Sequence, residues 1–198
     1  MPQSQEPKFS PSALTEYHEL LGRYPTRQAA LLPTLWIAQR EFGWLSDPAQ
    51  DYVAHLMELP PAHVRAVVSF YTMFHRRPVG RYLLDVCTNL SCRLRGADKI
   101  VDCIRRKLKI EIGETTADGK FSLTEVECLG ACVNAPVIQV NDDFYEDVDG
   151  SSTEALIDAF ARGETPPPGS ALKRQGSAPL TGPKTLHGVP SAGDPNAA

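Results

Sequence analysis

No stretch of this 198-residue chain stays apolar for anything near the roughly 20 residues that a membrane-spanning helix needs, so no direct membrane insertion is expected. An excess of positive charge is missing too. Against 24 Asp and Glu stand 20 Lys and Arg, a formal charge of −4 that argues against a nucleic-acid partner. The opening MPQSQEPKFS lacks a basic segment followed by an apolar one. It predicts no secretory signal and therefore a reducing compartment. No G-x-G-x-x-G follows a candidate strand, so neither NADH nor flavin is expected to bind this chain alone. What is present, 42% hydrophobic and 22% charged residues, is the balance of a globular protein.

Cysteines are few but organised. Four of the five form two short pairs, Cys87-Thr-Asn-Leu-Ser-Cys92 and Cys128-Leu-Gly-Ala-Cys132. Each pair follows an apolar, strand-like run, YLLDV before Cys87 and FSLTEVE before Cys128. If the two runs lie side by side and parallel, both loops leave one edge of the sheet and four sulfurs converge. Thiolates gathered in this way bind soft metals or iron–sulfur clusters. Zinc on four cysteines fits the spacing equally well. A redox disulfide of the C-x-x-C kind does not, and the C-x4-C-x2-C run of plant-type ferredoxins is absent. Cys103 lies on a predicted helix beside Ile104 and reads as a small core residue.

Residues 1–9 read as a flexible amino terminus, and residues 10–76 as a helical domain. Ser10-Pro11 is a helix start, with Phe9 and Leu14 placed as a hydrophobic staple. A second helix is predicted from about Thr26 to Phe42, kinked or opened by Pro33 and stopped by Gly43. Asp47-Pro48 starts a third, and Pro60-Pro61 separates it from a fourth carrying Val64, Val67, Val68 and Tyr71. No catalytic constellation is visible there. Residues 81–162 change to the order β-α-β-β-β-α, with a parallel first β-α-β unit and a hairpin at Asn141-Asp142-Asp143. Residues 163–198 hold seven prolines, six glycines and no aromatic residue, and read as a disordered tail.

The remaining polar groups read as solvated. His18, His55 and His63 fall on helix surfaces, and His75-Arg76-Arg77 on a turn. Arg93 and Arg95 follow Cys92 and are assigned to solvent. The acidic run Asp142, Asp143, Glu146, Asp147 and Asp149 lacks the spacing of a calcium loop and reads as a solvated hairpin. Backbone amides of the cysteine loops, together with Thr88, Asn89 and Ser91, are candidate donors to sulfur, and Gly130 allows close backbone approach.

The segments Ser69-Phe-Tyr-Thr-Met-Phe74, Pro78-Val-Gly80, VCTNLSC, Glu127-Cys-Leu-Gly-Ala-Cys132 and Ala135-Pro136 together resemble one family. It is the 24-kDa-type [2Fe–2S] subunit of respiratory complex I, NADH:quinone oxidoreductase, whose bacterial form is the E subunit. The resemblance runs from about Leu14 to Phe160. It implies an α/β fold: a thioredoxin-like [2Fe–2S] domain behind an amino-terminal helical bundle. It also implies one [2Fe–2S] cluster on Cys87, Cys92, Cys128 and Cys132. FMN and NADH are implied on a neighbouring flavin subunit. Other peripheral-arm subunits are further partners, at the cytoplasmic side of the inner membrane. Related subunits of NAD-linked hydrogenases and formate dehydrogenases carry the same motifs, though TNLS between the first cysteines looks most like the respiratory version. A zinc-stapled adaptor and a free redox carrier are the readings from other classes.

Overall fold

The computed structural model describes residues 6–176, which fall into two compact units divided between Val79 and Gly80.

The first unit is helical. Helix α1 (Pro11–Leu21) starts as predicted: the Ser10 hydroxyl accepts from the Ala13 amide, and Pro11 fills the first position, where no N–H is needed. A single 3-10 turn (Gln28–Ala30) precedes α2 (Leu31–Phe42), so Pro33 lies in the first turn of α2. Gly43 ends this helix at φ 79°, a left-handed conformation that suits glycine. Helix α3 (Asp47–Met57) is capped by Ser46, and α4 (Pro61–Phe70) follows. Tyr17, Leu35, Val53, Met57 and Val64 are buried in one core. The flexible terminus expected over residues 1–9 fails at Phe9. Its ring stacks on Phe42 at 5.7 Å and meets Tyr52 edge-on at 5.2 Å, and its amide donates to the Tyr52 hydroxyl at 3.1 Å. Residues 1–5 lie outside the described residues.

The second unit is a five-stranded sheet with helices. Its elements are β1 (Tyr82–Cys87), α5 (Leu90–Leu94), α6 (Ala97–Leu108), β2 (Phe121–Val126), β3 (Val137–Val140), β4 (Asp143–Glu146), α7 (Gly150–Ala161) and β5 (Gly169–Ser170). The strand order is β2-β1-β3-β4-β5. Strands β1 and β2 are parallel, from Tyr82 opposite Phe121 to Cys87 opposite Val126. Strand β3 is antiparallel to β1 and to β4, and Asn141 turns the β3–β4 hairpin at φ 55°. Being central, β1 is buried at every position except half-buried Asp85, which explains its nearly continuous apolar run. Leu84, Ile104, Leu123 and Ile138 are almost completely buried in the core, each contributing about 1.5–3 kcal/mol relative to exposure. Helices α6 and α7 pack against each other. The Ala135–Pro136 peptide is cis.

Two elements depart from the expected order. Helix α5 is inserted between the first cysteine pair's strand and α6. The disordered tail expected from residue 163 fails for residues 163–176. Strand β5 runs parallel to β4, pairing Gly169 with Tyr145 and Ser170 with Glu146, and the Tyr145 hydroxyl donates to the Pro166 carbonyl at 2.9 Å. Backbone and ionic partners supply what the missing apolar side chains do not. Residues 177–198 lie outside the described residues.

Candidate metal centre

The parallel register of β1 and β2 brings the two cysteine segments together. Cys87 is the last residue of β1, opposite the last residue of β2, and Cys128 follows two positions after β2. The Thr88 amide donates to the Val126 carbonyl at 3.1 Å, prolonging the ladder into the loops. Asn89 then stops the strand. Its side chain accepts from the Leu90 amide at 2.7 Å, and its amide nitrogen donates to Glu127 at 2.5 Å. One residue thus starts α5 and ties the first loop to the residue before Cys128. Helix α5 carries Cys92 back toward Cys87.

The four sulfurs lie in two linked pairs. Cys87 and Cys92 are buried, whereas Cys128 and Cys132 are exposed. Cys92 and Cys87 are hydrogen-bonded, and the Cys128 and Cys132 sulfurs are 3.3 Å apart. The pairs also feel one another: Ser91 hydrogen-bonds the Cys132 sulfur, and Cys132 interacts electrostatically with Cys92 and Cys87. Burial pushes the Cys92 thiol up to about 12, reinforced by Cys87 and partly offset by the Val137 backbone. The Gly130 amide donates to the Cys128 sulfur at 3.4 Å and lowers its pKa, helped by Cys132. Gly130 itself is at φ 81°, a left-handed conformation that aims this amide at the sulfur. Cys132 is raised, chiefly by its hydrogen bond with Cys128.

This donor set fits an iron–sulfur cluster. Among the described residues, no group of three or more His, Cys, Asp or Glu side chains is placed to hold a metal ion. The fit therefore rests on the chemistry of the donors: four thiols in two pairs suit two irons with two protein ligands each. Cys103 lies elsewhere in the fold. It is buried on α6, its sulfur 3.5 Å from the Gly150 carbonyl and 3.6 Å from Glu154, and its pKa is raised first by burial.

The surroundings revise several assignments. Arg93 is solvated as expected, in an exposed pair with Asp98 at 3.2 Å. The acidic run is not uniformly solvated. Asp147 has a side chain only 1% exposed and is paired with Arg174 at 2.5 Å. Asp149 caps α7, its carboxylate accepting from the Ser152 amide at 2.8 Å, while Glu146 accepts from Asn134 at 2.7 Å. Local sequence reading missed the role of Asp147 because its partner arrives 27 residues later, whereas the Asp149 cap, with Ser152 three residues on, was a local signal left unread. Leu90, Leu94 and Val133, beside the cysteines in sequence, are exposed. Of the aromatic residues of the helical unit, Phe74 is buried and Phe70 is 77% exposed. No helix among the described residues is long and apolar enough to cross a membrane.

A family model described as thioredoxin-like [2Fe–2S] ferredoxin matches residues 17–161. The chain is 47% identical over 153 residues to the E subunit of NADH-quinone oxidoreductase from Rickettsia bellii (strain RML369-C), covering 76% of this chain and 92% of that protein. It is 43% identical over 181 residues to the mitochondrial NADH dehydrogenase [ubiquinone] flavoprotein 2 of Dictyostelium discoideum, covering 90% of this chain and 73% of that one. In fold it is similar to a chain of an NAD+-reducing [NiFe]-hydrogenase in the air-oxidised state. The TM-score is 0.55 at 20% identity, over 81% of this chain and 24% of that one.

Proposed function

The chain belongs to the thioredoxin-like [2Fe–2S] ferredoxin family, and from that premise we propose that it is the electron-transfer subunit of an NADH:quinone oxidoreductase, holding one [2Fe–2S] cluster on Cys87, Cys92, Cys128 and Cys132. The observation that carries the reading is the register of β1 and β2. It delivers two cysteine pairs to one end of the sheet, in a chain 43–47% identical to subunits so named. The hydrogenase chain is similar in fold alone and does not compete with those relatives.

The cluster supplies one-electron chemistry when bound. Everything else falls to the chain. Cys87 and Cys92 hold their side of the site out of water, and the Gly130 and Val137 backbones and Ser91 give the sulfurs hydrogen bonds. Such bonds stabilise the more negative reduced state. NADH and FMN belong to a flavin-bearing partner subunit, since hydride needs a two-electron acceptor before single electrons can pass on. Leu90, Leu94 and Val133, neighbours of the cysteines in sequence, are exposed apolar side chains that such a partner would cover. The complex is peripheral to the inner membrane on its cytoplasmic side.

The test is a cysteine series on protein purified without air. Replacing Cys87, Cys92, Cys128 or Cys132 by Ser is expected to abolish or distort a red-brown spectrum that bleaches on reduction, and Cys103→Ser to leave it intact. The purified chain is expected to oxidise NADH only after the flavin-bearing subunit is added. A colourless zinc protein, or NADH oxidation by the chain alone, refutes the proposal.

A further inference from the structure

The segment after α7 crosses the sheet edge and ends against the second cysteine loop. Beyond the β5 pairing, the Ala171 amide donates to the Glu146 carbonyl at 2.9 Å. The Ser170 hydroxyl donates to Asp147 at 2.5 Å and accepts from the Arg174 amide at 3.0 Å. Arg174 then spans two elements. Its Nε and Nη2 donate to the two carboxylate oxygens of Asp147 at 3.1 and 2.5 Å, and Nη2 also donates to the Val133 carbonyl at 3.0 Å. Val133 directly follows Cys132. The next residue, Asn134, is 1% exposed and equally tied down. Its side-chain nitrogen donates to the Gln175 carbonyl at 3.2 Å and to Glu146, and its carbonyl accepts from the Asp147 amide at 2.7 Å.

A carbonyl beside an exposed cysteine is therefore fixed by a guanidinium that arrives from 41 residues away. The planar fork of arginine suits the task, because it meets a carboxylate with two N–H groups while a third contact reaches the carbonyl. The first cysteine pair needs no such device, since it is buried and held by β1 and α5. We propose that residues 169–176 brace the second cysteine loop, with Arg174 as the positioning residue that sets the geometry of Cys132 through the Val133 carbonyl. The inference rests on the assignment of Cys128 and Cys132 as ligands. It gives the second unit a functional boundary past residue 174, beyond the family match, which ends at residue 161.

The test uses the full chain with its iron–sulfur group assembled. Iron release to excess chelator is followed without denaturant, beside the electron paramagnetic resonance spectrum of the reduced protein. Arg174→Ala is expected to release iron roughly tenfold faster, the order of effect seen when a partner behind a metal ligand is lost, and to shift or broaden the spectrum. Asp147→Asn frees the guanidinium from its anchor and is expected to do the same. It answers the question should Arg174→Ala fail to accumulate. The double variant is expected to be no worse than the stronger single one, because both break the same link. Arg174→Lys retains the charge but not the fork, and is expected to behave like Arg174→Ala. Wild-type release and spectrum in Arg174→Ala and Asp147→Asn, or full recovery by Arg174→Lys, overturn the brace. Cys128→Ser is run beside them: an unchanged spectrum there sinks the ligand assignment itself, a failure distinct from that of the brace alone.

Discussion

Gly80→Ala is expected to weaken the second unit by about 2–4 kcal/mol. A methyl built on Gly80 would stand 2.8 Å from the Phe121 carbonyl carbon and 2.9 Å from both the Lys120 carbonyl carbon and the Phe121 nitrogen. All three atoms are backbone at the entrance of β2, so no side chain can rotate away. Ordinary carbon contacts need about 3.5–4 Å. The β1–β2 entrance must therefore open by more than half an ångström, or the chain before β1 must be displaced. Three hydrogen bonds lie in the way: Gly80 amide to Ser122 hydroxyl at 2.7 Å, Arg81 amide to Gly119 carbonyl at 3.0 Å, and Tyr82 amide to Lys120 carbonyl at 2.7 Å. Overpacking costs roughly 1–3 kcal/mol, and one weakened bond about 0.5–1.5 kcal/mol more. Gly150 is the control. Nothing lies within 4 Å of its added methyl, and it opens α7, so Gly150→Ala is expected to be neutral or to gain up to about 1 kcal/mol. The assay is urea unfolding followed by circular dichroism. With a slope near 2 kcal/mol per molar, Gly80→Ala moves the midpoint down by about 1–2 M. The cysteines are at the opposite end of β1, about 20 Å away, so the iron–sulfur spectrum of the folded protein is expected to survive. A midpoint within about 0.3 M of wild type refutes the steric argument.

Two further outcomes are expected from the same unfolding assay. Asp149→Ala removes the capping box of α7 and should cost about 0.5–2 kcal/mol, with Asp149→Asn costing less; equal midpoints for all three proteins would count against the cap. The Arg174 guanidinium, aided by Ser170, holds the Asp147 carboxyl below the usual carboxylate range. Its stabilisation is present above the unfolded carboxyl pKa of about 3.9 and fades as pH falls through the lower folded value. The gap between wild type and Asp147→Asn should be widest near neutrality, about 1–3 kcal/mol for the lost charge-assisted hydrogen bonds because the half-exposed Arg174 left behind is solvated, and should shrink below about pH 4. A gap that grows in acid contradicts the pairing.

Much of this was legible in the sequence because the signals were local and periodic. Ser10-Pro11, Gly43, the YLLDVC run and the Asn141 turn each act through a neighbour a few residues away. The parallel pairing of the two apolar runs, which starts both cysteine loops from one end of the sheet, was legible in their shared character and position before a cysteine. Helix α5 was not legible, since five residues offer too little periodicity and Asn89 read only as a loop donor. The strap over residues 163–176 was hidden for the opposite reason. Its composition is that of a disordered segment, and its order comes from an edge strand, a carboxylate and a carbonyl far back in the chain. Composition registers apolar side chains and is blind to backbone groups that another strand is waiting to satisfy.

The strap also fixes an order in time. The ribosome completes Cys132 before it adds Arg174, about forty positions later, and at ~5–20 residues per second the interval is roughly 2–8 s. Until residues 169–174 have emerged the sheet ends at β4, and the Asp147 carboxylate and the Val133 carbonyl lack the partner that they have in the finished fold.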